Sequence, residues 1–244
     1  MTASPILKIF PDKEKLADSL AKEFSELVMR LSKEKQQVDI ALSGGSTPNL
    51  FFRAMVQLNP PIDWNKVRLY WVDDRCVPPD HPESNFGAAY NAFLEPLQIP
   101  GSSWFRIRGE EDPLQEAKRY GELILDQVAP GLTFPVFDMI FLGMGTDGHT
   151  ASIFPHQAAL WNEEQLCTVG THPDTGQQRV SFTGHLINAA ARVAFLVTGQ
   201  EKAGVVEEVV TRSGNFAAYP AALVDPHHGE LEWYLDEAAA GALS

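Results

Sequence analysis

The chain is poor in the features that would set it apart from ordinary globular enzymes. It has two cysteines, Cys76 and Cys167, in neither a Cys-x-x-Cys nor a Cys/His spacing. That excludes a disulfide framework or zinc motif read from spacing and leads to the expectation of a reducing, cytoplasmic compartment. No apolar run approaches the roughly 20 residues that span a bilayer. The opening MTASPILKIFPDKEK has no basic stretch before its short apolar run, so a secretory signal is not expected. Basic residues are also scarce: 19 Lys and Arg stand against 32 Asp and Glu, a net charge of −13. Nucleic acid and anionic membrane both reward basic surface, so neither is expected as a partner. Composition alone leaves monomer and small homo-oligomer equally open.

What is present fits a folded core. Hydrophobic residues make up 44% and charged residues 21% of 244, enough to bury a large core without staples. Strand-like runs alternate with helical patterns. Strands are expected at Val38 to Ser43, Val67 to Val72, Val136 to Leu142, Leu166 to Val169, Val180 to Thr183 and Arg192 to Thr198. Helices are expected at Pro48 to Gln57, after a Ser84 cap through Leu94, after an Asp112 cap with Pro113 at the first position, at Gln200 to Thr211, and briefly over Asp236 to Ala240. The alternation predicts an α/β, Rossmann-like fold: a largely parallel sheet with helices on both faces. With no repeat and no linker-like composition shift, residues 1–244 are expected to form a single domain.

Ligands of such sheets sit beyond the carboxyl ends of the strands, and four of these ends carry chemistry. Ser43, Gly44, Gly45, Ser46 and Thr47, followed by Pro48, join a strand to a helix. Two glycines allow close backbone approach, the hydroxyls add donors, and a helix start favours an anion, with Thr47 expected as its cap. Asp73, Asp74 and Arg75 directly follow the next strand, where a carboxylate can hold sugar hydroxyls beside an anion-pairing guanidinium. The run Gly143-Met-Gly-Thr-Asp-Gly-His149 contains a literal GxGxxG. Pro155 leaves too little helix after it, and no acid follows at the end of a second strand, so dinucleotide binding is set aside. Within it Asp147 stands two residues before His149, a carboxylate able to fix the tautomer of an exposed imidazole that acts as a base near neutral pH. Arg179 and Lys202 are the fourth feature. Lys202 sits in the first turn of a helix, against the dipole, where an anion would compensate it. The pair His227-His228 lacks a third ligand at useful spacing, and no metal is expected.

Taken in order, SGGSTP, DDR, GMGTDGHTASIFP, INAAARVAFLVTGQEKA and YPAALVDPHHGELEW resemble the 6-phosphogluconolactonase family of the pentose phosphate pathway, from about residue 38 to the C-terminal end. The family usually has Asp-Glu-Arg where Asp73-Asp74-Arg75 stands here. The resemblance implies hydrolysis of a phosphorylated sugar lactone, 6-phospho-D-glucono-1,5-lactone, with no metal or organic cofactor. It also implies a phosphate site at Ser43 to Thr47, Arg179 and Lys202, and a catalytic His149. The expected chemistry has His149 deprotonate water, Asp147 orient the ring, and glycine-loop N–H groups, helped by Arg75, meet the oxyanion. A related glucosamine-6-phosphate deaminase would carry a glutamate soon after the histidine motif, and Thr150 to Pro155 holds no acid. A sugar-phosphate sensor would need a basic DNA-binding segment, which is also missing.

Overall fold

A computed structural model describes residues 4–129, 131 and 134–243. The strands are β1 (Ile6–Phe10), β2 (Val38–Leu42), β3 (Val67–Trp71), β4 (Asp73–Arg75), β5 (Trp104–Phe105), β6 (Met139–Leu142), β7 (Cys167–Thr171), β8 (Gln178–Phe182), β9 (Arg192–Val197) and β10 (Glu230–Asp236). The α-helices are α1 (Lys13–Glu34), α2 (Ser46–Leu58), α3 (Asn85–Ala89), α4 (Pro113–Val128), α5 (Gly184–Asn188) and α6 (Ala203–Thr211). Seven strands form one sheet in the order β1-β10-β9-β6-β2-β3-β5, and every pairing in it is parallel.

Burial explains the apolar runs. All five residues of β2 and all four of β6 are buried, as parallel strands covered on both faces require. Helix α1 starts where Asp12 accepts from the Lys15 N–H at 2.7 Å. It buries Leu16, Leu20, Phe24, Leu27 and Val28 at helical spacing. Phe24 packs edge-on against Phe51 of α2 and tilted against Phe141 of β6, with centroids 5.4 and 5.9 Å apart. Each such ring removed from water contributes roughly 1.5–3 kcal/mol. Glu23 of α1 reaches the Tyr234 hydroxyl at 2.8 Å. The preceding residue, Trp233, projects from the opposite face and shares a small cavity with Val209 and Val210 of α6. Helices therefore cover both faces.

Three expectations need correction. The strands expected near Leu166 and Val180 do not join the parallel sheet. They are β7 and β8, which pair antiparallel with each other and with β4. Residues 172–177 join them, a connection too short for a parallel crossover, which takes a dozen residues or more. The first strand is β1, not β2, and α1 follows it; β10 likewise went unread. Asp236 ends β10 rather than opening a helix. Its carboxylate accepts from the Gly199 and Ala239 N–H groups at 3.0 and 2.8 Å, turning the chain instead.

The topology places the site. From β2 the chain steps outward to β3 and β5 on one side, whereas β6, β9 and β10 lie on the other. The order reverses between β2 and β6, and the loops leaving these strands splay apart there into a crevice. Among the described residues, no helix is long and apolar enough to cross a membrane.

Candidate functional site

A cavity of about 340 Å³ opens at that reversal. Ser43, Gly44, Gly45, Ser46 and Thr47 line it from the end of β2, Asp73 and Arg75 from β4, and Gly143 to Gly145 with His149 from the loop after β6. Arg179 of β8 and Lys202 after β9 complete it. Every site residue expected from the sequence except Asp74 and Asp147 thus lines one space. Asp147 stands behind the wall, against His149.

The first wall is a helix start without a cap. Gly45, at φ +113°, is the capping residue, and no side chain closes the end of α2. The expected cap, Thr47, lies inside the helix, and its hydroxyl pairs instead with the Thr198 hydroxyl at 2.8 Å. This bond pins α2 to the end of β9. The first N–H groups of a helix have no internal partner, so those of α2 remain directed at the cavity, where they and the dipole favour an anion. Ser43 is anchored from below, donating to the Phe141 carbonyl at 2.8 Å.

The DDR triplet divides its work. Asp74 is buried and accepts from the Arg75, Asn85 and Phe86 N–H groups at 2.8, 2.7 and 3.0 Å, and from the Ser84 hydroxyl at 3.2 Å. Burial nevertheless pushes its carboxyl up to about 6 against those donors. It is a brace for the start of α3 and does not line the cavity. Asp73 does line it.

Arg75 and Arg179 face each other across the β4–β8 ladder. The Arg75 Nη1 donates to the Glu83 carbonyl at 2.7 Å, while among the described residues the Nε atoms of both arginines are buried without a partner. Burial, and then the Arg75 charge, depress the Arg179 pKa. Burial likewise depresses that of Lys202, although Glu201 and Asp147 oppose it. Among the described residues, none of these three cations has a carboxylate within 4 Å, whereas Arg68, Arg106, Arg119 and Arg192 are all paired. Uncompensated buried charge is expensive. Three such groups around one cavity, in a chain of net charge −13, make a place prepared for an anion.

In the glycine loop, the Asp147 Oδ1 meets His149 Nδ1 at 2.6 Å and accepts the His149 N–H at 3.2 Å. Burial would raise the Asp147 pKa, but the hydrogen bond and charge of His149 prevail and hold it down to about 2. With Nδ1 engaged, Nε2 is the ring nitrogen left for the cavity. The ring rests on Phe154, centroids 4.6 Å apart. Gly145 makes this arrangement possible: a Cβ there would fall 2.2 Å from His149 Nδ1 and 2.4 Å from Asp147 Oδ1. One expectation narrows. The N–H groups of Gly145 and Gly148 are used inside the loop, on the His149 and Gly145 carbonyls at 2.9 and 3.1 Å, so they do not serve an oxyanion. The Met144 N–H, in a residue that lines the cavity, donates to nothing among the described residues.

Asn85, Thr198 and Glu201, which no local motif marks, line the cavity as well. Asn85 donates to the Asp73 carbonyl at 3.0 Å and packs so closely on Gly44 that a Cβ there would lie 1.9 Å from its Oδ1. Among the described residues, no group of three or more His, Cys, Asp or Glu side chains is arranged to hold a metal ion.

A family described as glucosamine-6-phosphate isomerases/6-phosphogluconolactonase matches residues 11–233, so the likeness begins well before residue 38. The 6-phosphogluconolactonase of Haemophilus influenzae is 42% identical over 236 residues, 96% of this chain and 98% of that protein. That of Treponema pallidum is 44% identical over 204 residues, 83% of each chain. The solved structure of 6-phosphogluconolactonase from Trypanosoma cruzi superposes with a TM-score of 0.87 at 26% identity, covering 100% of this chain and 98% of the other.

Proposed function

The chain belongs to the family of glucosamine-6-phosphate isomerases and 6-phosphogluconolactonases, and from that membership we propose that it hydrolyses 6-phospho-D-glucono-1,5-lactone to 6-phospho-D-gluconate. The observation that carries the reading is the joining, in one cavity, of three unpaired cations and an uncapped helix start with a histidine held by a carboxylate. The first set suits a phosphate and the second a hydrolytic step.

In this reading the phosphate lies against the N–H groups at the start of α2 and is held by Arg179 and Lys202, with Arg75 alongside. Ser43, Ser46 and Thr47 border it. Asp73 receives sugar hydroxyls. A water lies between His149 Nε2 and the lactone C1. His149 takes its proton as the oxygen attacks, and the carbonyl electrons move onto the exocyclic oxygen, which the Met144 N–H meets. On collapse the C1–ring oxygen bond breaks, and protonated His149 gives its proton to the departing ring oxygen. Asp147 keeps the ring in the tautomer with Nδ1–H and stabilises the imidazolium. No covalent intermediate is needed, because a lactone is already an activated ester.

Replacing His149 by Gln should lower kcat on the order of 10²-fold and leave KM within a few fold. The assay follows lactone disappearance above its spontaneous background, in parallel with ammonia release from glucosamine 6-phosphate. An unchanged kcat overturns the role of His149. Ammonia release without lactonase activity overturns the reaction.

A further inference from the structure

Asp73 is a puzzle within the proposed reading. A carboxylate that is 6% exposed, in a cavity built for an anion, opposes the substrate's charge unless it is held to a definite task. Among the described residues it forms no ion pair with Arg75 or Arg179. Its only hydrogen-bonded carboxylate oxygen is Oδ2, which accepts from the Ser152 hydroxyl at 2.6 Å, a short contact of the charge-assisted kind. Oδ1 has no partner there.

Ser152 reaches this position through an unusual piece of backbone. It is fully buried and follows His149 by three residues. Between them Ala151, a non-glycine residue, stands at φ +49°, a conformation that costs of order 1 kcal/mol and persists where the surroundings impose it. The Ser152 N–H donates to the Ser181 hydroxyl at 3.1 Å, and that hydroxyl donates on to the Phe182 carbonyl at 3.0 Å. Gly170 of β7 comes so close that a Cβ there would lie 2.0 Å from the Ser152 carbonyl oxygen. One turn therefore carries His149 at its start and the anchor of Asp73 at its end.

We propose that Ser152 is a positioning residue: it holds Oδ2 of Asp73 so that Oδ1 faces the sugar hydroxyls, and so ties the carboxylate that orients the sugar to the loop that carries the base. The inference rests on the lactonase reading above. Ser152 touches no substrate itself and acts through Asp73.

The test is a double-mutant cycle of Ser152→Ala and Asp73→Asn, read as kcat and KM separately. Ser152→Ala should raise KM about tenfold or more with kcat within a few fold, as for loss of a hydrogen bond to a charged group. Added to Asp73→Asn it should change KM by less than about twofold, because the residue it acts through is already disabled. A lactone analogue lacking the hydroxyl that Asp73 holds should lose its disadvantage in Ser152→Ala. Effects that multiply across the cycle, a loss confined to kcat, or no loss overturn the proposal. Should Ser152→Ala fail to fold, Ser152→Cys keeps the volume with a weaker donor; a wild-type KM in that variant also overturns it. Inorganic phosphate should still raise the melting temperature of each variant, since the cations are untouched. If the wild type shows no lactonase activity, the reading itself fails, and the same cycle read as 6-phosphogluconate affinity by calorimetry decides the role of Ser152 separately.

Discussion

Replacing Arg179 by Met separates a binding role from a structural one, because the two predict opposite changes in stability. Without a bound anion the Arg179 guanidinium is a liability. It lies directly across the ladder from Arg75, and among the described residues its Nε is buried without a partner and no carboxylate lies within 4 Å of it. Like charges opposite each other on a sheet are destabilising by some tenths of a kcal/mol, and an unsatisfied buried donor costs about 1–3 kcal/mol. Against this stands the contact of its guanidinium over the Phe154 ring, 5.5 Å from the centroid, worth about 0.5–1 kcal/mol. Methionine preserves much of the apolar contact. The balance favours the variant by about 1–2 kcal/mol, which for a chain of this length raises Tm by roughly 2–8 °C.

With substrate bound the sign reverses. A hydrogen bond to a charged group is worth about 1.5–3 kcal/mol, so KM should rise roughly 10- to 100-fold while kcat changes little, as for loss of binding common to ground and transition states. Inorganic phosphate should stabilise the wild type by about 2.7 kcal/mol at a hundred times its Kd, and the variant far less at the same concentration. The assays are steady-state kinetics and thermal melts with and without phosphate. A fall in Tm of several degrees, with the phosphate-induced shift intact and KM unchanged, refutes the reasoning and makes Arg179 a structural residue.

Gly145→Ala should lower kcat on the order of 10²-fold, since its Cβ would displace both His149 Nδ1 and Asp147 Oδ1; a melt unchanged within a few degrees distinguishes misalignment of the pair from unfolding. Asp147→Asn keeps an oxygen near the ring but removes the charge, and kcat should fall about tenfold or more. The depressed Asp147 carboxyl, at about 2, contributes stability above its ordinary value near 3.8 that is lost as pH falls through 2. Because the group is partly exposed that contribution is under about 1 kcal/mol, and melts from pH 5 to pH 2 should show its disappearance in the variant. Asp74→Asn should destabilise by about 2–3 kcal/mol, because the amide nitrogen cannot accept from Phe86 N–H or the Ser84 hydroxyl. The wild-type carboxyl is raised to about 6, so its contribution is full below 3.8 and is lost as pH rises through 6. That downward slope should be missing from the variant's melting curve.

The sheet was readable where burial wrote it into composition. β2, β3, β6 and β9 are nearly continuous apolar runs, and their carboxyl ends carry the segments singled out for chemistry, except for Arg179, which lies in β8. β1 was harder to see, because an edge strand has one partner and this one exposes Ile6, Leu7 and Ile9. Its central Lys8 is drawn in by Glu23 and Glu232 at 2.5 and 3.1 Å, a neutralisation that no local pattern announces. Helix α1 did carry a signal, the spacing of Leu16, Leu20, Phe24 and Leu27 behind Asp12. The pairing of β7 and β8 was legible only as two strands, since direction depends on the short connection between them.

The site shows a sharper division between groups with chemistry of their own and groups that position them. His149, Arg75, Arg179 and the glycine loops stand out by residue type and spacing, because reactivity and backbone freedom are local properties. The partners that fix them are distant in sequence. Thr47 binds Thr198 and Ser152 binds Asp73, contacts across 151 and 79 residues, and serines and threonines at these positions look like ordinary polar residues. Capping shows the same effect in reverse. Thr47 has the local character of a helix cap, yet a hydroxyl there would occupy donors that the cavity needs. The chain places Gly45 at the end of α2 and turns Thr47 inward to β9, forgoing roughly 1 kcal/mol of capping to leave the helix start open. Such a choice is visible only when the open cap and the unpaired Arg179 and Lys202 are seen around the same cavity.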